Sequence, residues 1–64
     1  MMTTVSENIR NLRRAKGWSQ ERLAQMLNCE RTTIANWETG RNNPPLDAMK
    51  ELSKALDVTI DDLL

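Results

Sequence analysis

Sixty-four residues with one cysteine, no histidine and zero formal net charge bound a single small domain near the lower size limit for a core without staples. A lone Cys29 excludes an internal disulfide, no ligand cluster points to a structural metal or cofactor, and no apolar run reaches membrane-spanning length. Met1-Met2-Thr3-Thr4 lacks the basic and apolar regions of a signal peptide, so the cytoplasm is the expected compartment, with no membrane partner.

Thr4-Val-Ser-Glu7 has the spacing of a capping box and predicts a first helix, continued by Val5, Ile9, Leu12 and Lys16 at helical steps and stopped by Gly17. Ser19 is a suitable cap for a second helix with Leu23, Ala24 and Leu27 inward. Asn28 tolerates the left-handed conformation of a tight turn. A third helix is expected over about Arg31 to Thr39, ended by Gly40, then a loop through Arg41-Asn-Asn-Pro-Pro45. Leu46, Met49, Leu52, Ala55 and Leu56 predict a fourth helix, and Thr59 caps a short fifth with Asp61 and Asp62 in its first turn. Strand-like alternation is absent, so the fold class is all-α, five short helices in one domain over residues 1–64.

Residues 20–39 carry the functional signal, as two short helices around a tight turn. Ala24 is small enough for a close helix crossing. Ile34 and Trp37 form an apolar edge on the third helix, leaving Thr32, Ala35, Asn36 and Thr39 on the opposite edge, with groups suited to reading DNA bases. At 100° per residue, Arg13 lies about 40° from Ile9 and Glu38 about 40° from Ile34. Two inward-facing opposite charges predict an ion pair between the first and third helices, fixing orientation more than adding stability.

Charge is uneven despite its zero sum. Residues 1–45 hold seven Lys/Arg against four Glu, a net +3, and residues 46–64 carry the compensating −3. A basic front with an acidic rear would orient a domain on a phosphate backbone.

Ile9-Arg-x-Leu-Arg13, Lys16-Gly-Trp-Ser-Gln20, Leu23-Ala24, Leu27, Thr33-Ile34, Trp37-Glu38-x-Gly40-Arg41, Asn43-Pro44, Leu46 and the Ala55-Leu-Asp-Val58 to Asp62-Leu63 ending together resemble the phage-repressor-like helix-turn-helix family, the Cro and lambda-repressor type also called Xre. The resemblance covers essentially the whole chain. It implies a compact five-helix lambda-repressor-like DNA-binding domain in which the second helix braces the DNA backbone and the third enters the major groove. It assigns base reading to Arg31, Thr32 and Asn36, a phosphate or base contact to Gln20, and an internal ion pair to Arg13 and Glu38. Family members usually bind palindromic DNA as dimers, with half-sites about 34 Å apart.

The chemistry of these positions is consistent with that assignment. Arg31 suits guanine O6 and N7 or a phosphate, Asn36 suits adenine, and Thr32 offers a methyl to thymine or a hydroxyl to phosphate. Gln20 is expected to meet a phosphate, with a second hydrogen bond to a nearby Asn or Gln side chain. Arg41, Asn42 and Asn43, which follow the third helix, are expected to contact the DNA backbone, as are Arg10 and Arg14, while Thr33 is expected to serve as a phosphate contact or as packing. Trp18 and Trp37 are read as core, and Cys29 as a small buried residue. Val58, Ile60, Leu63 and Leu64 offer apolar surface for a dimer contact, shared with packing of the fifth helix on its own core.

Three positions depart from the family pattern: Asn28 replaces the turn glycine, Glu30 stands where a capping Ser or Thr is usual, and Pro45 occupies the serine cap of the fourth helix. No histidine, nucleophile–base motif, paired-carboxylate signature or glycine-rich phosphate loop suggests an enzyme. The expected function is sequence-specific regulation of transcription on double-stranded DNA, as a repressor occupying an operator. The rival is a protein-interaction module on the same fold, a bridging factor or a partner-binding antitoxin, which the zero net charge and Glu30 favour.

Overall fold

A computed structural model describes residues 4–64, in which five helices follow one another: α1 (Val5–Ala15), α2 (Gln20–Leu27), α3 (Arg31–Thr39), α4 (Leu46–Leu56) and α5 (Ile60–Leu63). The signal-peptide reading of the N-terminus falls mainly on Met1 to Thr3, outside the described residues.

Local chemistry sets most of the boundaries. The Thr4 hydroxyl accepts from the Glu7 N–H at 3.2 Å, Ser19 from Arg22 at 3.0 Å and Thr59 from Asp62 at 3.2 Å, each satisfying an amide that the helix cannot. Only at Thr59 is the box reciprocal, with the Asp62 carboxylate accepting from the Thr59 N–H; at α1 the Glu7 carboxylate takes the Thr4 hydroxyl instead. Asn28 (φ 57°) and Gly40 (φ 80°) end α2 and α3 in the left-handed region. Asp57 (φ 58°) ends α4 in the same way, a stop that no glycine or asparagine marks. Pro45 precedes α4 without a side-chain cap. Its carbonyl nevertheless accepts the Met49 N–H at 2.9 Å, so the helix starts on backbone alone.

The core gathers Ile9, Leu23, Ala24, Ile34, Trp37, Met49, Leu52, Leu56 and Leu63, so every helix contributes to it. Burying an aliphatic side chain of this size contributes about 1.5–3 kcal/mol. Helices α1 and α2 both pack on α3, α4 supports α2, and α5 closes against α1 and α4. Leu46 opens α4 as expected and, being its first residue, remains 64% exposed. One apolar expectation is corrected. Leu63 has no exposed surface, so it belongs to this chain's own core and offers nothing to a dimer contact. Val58 and Ile60 are half-buried against the same core, and Leu64 stays 66% exposed.

Candidate nucleic-acid interface

The outward edge of α3 rests on a buried ion pair. Arg13 on α1 donates through Nε to Glu38 Oε2 at 2.6 Å and through Nη2 to Oε1 at 3.0 Å. Its Nη1 reaches the Trp18 carbonyl at 2.6 Å, so one guanidinium ties α1 to α3 and to the entry of α2. A planar fork meeting both carboxylate oxygens fixes direction as well as distance. Burial alone would push the Glu38 carboxyl up, but hydrogen bonds from Arg13 and Gln20, with the charges of Arg13 and Arg10, hold it below the usual carboxylate range. Glu38 in turn raises the Arg13 guanidinium further.

The pair extends outward to the surface. Gln20, at the start of α2, donates Nε2 to Glu38 Oε1 at 3.1 Å and accepts Arg31 Nη1 on its own carbonyl oxygen at 3.2 Å. The expected Asn or Gln partner of Gln20 is therefore corrected to Glu38 and Arg31. An amide that has both a donor and an acceptor can join an anion on one side to a cation on the other. Arg31 is thus held from behind at the first turn of α3.

Around this support the outward face of α3 carries Thr32 and Thr39, both exposed, with Ala35 and Asn36 half-buried between them. The backbone carbonyl of Asn36 accepts the Arg41 and Asn42 N–H groups at 3.0 and 3.3 Å and the Thr39 hydroxyl at 3.2 Å. The loop bearing exposed Arg41, Asn42 and Asn43 therefore folds back on the end of the same helix. Thr33 stands on the other flank, half-buried in the wall of a cleft of about 360 Å³ that Leu27, Cys29, Trp37 and Ala48 also line.

Two basic residues expected together are separated by their surroundings. Arg14 is exposed. Arg10 is half-buried, and its Nε is enclosed without a hydrogen-bond partner. Part of its side chain is thus committed to the α1–α3 seam, where its charge acts on Glu38.

Trp37 is buried and Trp18 half-buried, with Lys16 Nζ 5.8 Å from the Trp18 ring centroid; neither lies open for base stacking. The Cys29 thiol is half-buried at the turn, and burial, then the nearby Glu30 charge, pushes its pKa up. Among the described residues no group of His, Cys, Asp and Glu comes together that would hold a metal ion. Among the described residues no helix is long and apolar enough to cross a membrane.

Two helices at a tight left-handed turn, the second presenting a polar edge held from within, define a helix-turn-helix domain. The chain belongs to the helix-turn-helix family, whose model matches residues 9–63. It is 42% identical over 59 residues to the HTH-type transcriptional activator BcrR of Enterococcus faecalis, covering 92% of this chain but 29% of that protein. It is 41% identical over 59 residues to Control protein C.BamHI of Bacillus amyloliquefaciens, covering 91% of this chain and 73% of the relative. Among solved structures it superposes with a TM-score of 0.88 on the restriction-modification controller protein C.AhdI from Aeromonas hydrophila, 35% identical, covering 94% of this chain and 91% of that one.

Proposed function

We propose that this domain regulates transcription by binding double-stranded DNA sequence-selectively, with α3 in the major groove, and that it acts as a repressor occupying a palindromic operator as a homodimer. The observation carrying this reading is the outward edge of α3. There Arg31, backed by Gln20 and the buried Arg13–Glu38 pair, stands beside exposed Thr32 and half-buried Asn36. A guanidinium aimed by a neighbouring amide suits guanine O6 and N7, and the Asn36 amide suits adenine N6 and N7. Arg41, Asn42 and Asn43, on the loop that folds back against the end of α3, are the proposed phosphate contacts, with Arg14 and the outer atoms of Arg10 as further ones. Thr33 takes an edge contact to phosphate.

A single recognition helix reads only a few base pairs, so selectivity calls for two copies across a two-fold axis, with half-sites about 34 Å apart. Of the four apolar residues expected at that contact, exposed Leu64 and the outer parts of Val58 and Ile60 are left for it. The names of the relatives, an HTH-type transcriptional activator, a control protein and a restriction-modification controller protein, support DNA-directed regulation.

The test is selection from random duplexes by the purified chain, followed by affinity of the winners against salt. A palindromic winner with half-sites one helical turn apart, bound by two copies, is the expected result. Weak, salt-sensitive binding without enrichment would overturn this reading in favour of a protein-interaction module.

A further inference from the structure

Glu30 is an exposed acidic side chain next to Arg31, outside the Arg13–Glu38 pair. It occupies the position before α3 where a side chain normally caps the helix, yet its carboxylate makes no cap hydrogen bond. Its side chain is exposed, and among the described residues no cation stands within ion-pair distance of it. The adjacent Arg31 turns to Gln20 instead. The Glu30 carboxylate accepts the Thr32 hydroxyl at 3.4 Å through Oε2, which draws it toward the outward face of α3 and leaves the Thr32 methyl as that residue's free group.

An ionised carboxylate only accepts hydrogen bonds. Phosphates repel it, and so do the major-groove acceptors of guanine and thymine. Adenine offers a donor with the N7 acceptor beside it, whereas cytosine presents its N4 amino group as a donor alone. Resting on the DNA-binding reading above, we infer that Glu30 is a specificity-determining residue whose carboxylate accepts the N4–H of a cytosine at one base pair of each half-site. Its neighbour Arg31 then reads guanine close by. Glu30 removes sequences as well as selecting them, because any other base at that pair faces an anion it cannot satisfy.

The experiment runs the random-duplex selection in parallel with wild type, Glu30→Ala and Glu30→Gln, with thermal unfolding to verify that the exposed substitutions leave the fold intact. Wild type is expected to enrich a fixed cytosine in each half-site, and replacing that C·G pair to weaken its binding on the order of tenfold or more. Glu30→Ala should lose that cytosine, bind its replacements within about twofold, and keep the preferences set by Arg31 and Asn36. Glu30→Gln, whose amide also donates, should accept adenine there as well. If Glu30→Ala retains the cytosine, or gains affinity equally for all duplexes with unchanged preferences, the inference is overturned. If wild type enriches no sequence, the DNA-binding reading itself fails, which is a different result.

Discussion

Arg13 and Gln20 meet on one atom: both donate to Oε1 of Glu38, at 3.0 and 3.1 Å. A buried carboxylate that accepts from two helices at once is costly to replace by anything that cannot accept. Glu38→Ala leaves the Arg13 guanidinium buried without its counter-charge and should destabilise the domain by about 3–5 kcal/mol. Replacing both, as Arg13→Met with Glu38→Leu, should recover most of that loss. Urea unfolding of the single and double variants measures it, and equal losses in both would mean that the pair is not the source of the cost.

The same carboxylate sets an acid limit. Its pKa is depressed in the folded state, so the unfolded chain binds the proton more readily. The stabilisation is therefore complete above the ordinary carboxylate range and is lost as pH falls through that range toward the folded value. Melting temperature should drop between about pH 5 and pH 3 in the wild type, and the drop should be shallower in Glu38→Gln. Parallel curves would assign the acid sensitivity to other carboxylates.

Backbone conformation gives two substitutions of opposite sign. Gly40→Ala puts a Cβ into a residue at φ 80°, 3.4 Å from Ser6 Oγ on α1, and should cost about 1–2 kcal/mol. Asp57→Gly relieves a non-glycine residue at φ 58° and should add up to about 1 kcal/mol. Thermal or chemical denaturation reads both; a destabilised Asp57→Gly would show that the aspartate has a favourable role that its backbone angle conceals.

On DNA, Asn36→Ala and Arg41→Ala should fail differently. Losing the Asn36 amide should relax one base-pair preference at a cost of about 1–3 kcal/mol for the selected base. Losing Arg41 should weaken every duplex alike and reduce the salt slope by about one. Uniform losses from Asn36→Ala would remove it from base reading, and an unchanged slope would remove Arg41 from phosphate contact.

Cys29 should be a slow nucleophile. Burial and the Glu30 charge both keep its thiol protonated, and the thiolate is the reactive form. Alkylation in the folded chain should be slower than in urea, and Glu30→Gln should speed it modestly. Equal folded and unfolded rates would contradict a shielded thiol.

The elements most legible in the sequence were those governed by a single local interaction. Caps at Thr4, Ser19 and Thr59 and left-handed stops at Asn28 and Gly40 depend on residue types with few other uses. The Arg13–Glu38 pair was readable because helical angle alone turns both charges inward. Gln20 was not, because an amide can satisfy almost any partner and only three-dimensional placement selects Glu38 and Arg31. Asp57 was missed because aspartate visits the left-handed region too seldom to mark a helix end. The apolar residues Leu46 and Leu63 look alike by composition, yet one is exposed and the other enclosed. Periodicity assigns a face to a residue, not the depth to which a neighbouring helix covers it.

Helix α5 has only four residues, too few to persist alone in water. It is held by Leu63 in the core and by Asn8 Nδ2 on α1, which donates to the Leu63 carbonyl at 3.0 Å across 55 positions of chain. That hydrogen bond ties α5 straight back to α1, so opening α5 removes a contact that α1 also makes. The short α5 therefore acts as a latch against α1 and α4. The Leu64 amide, which bonds the Ile60 carbonyl, should exchange more slowly in the wild type than in Asn8→Ala, which lacks that tie to α1.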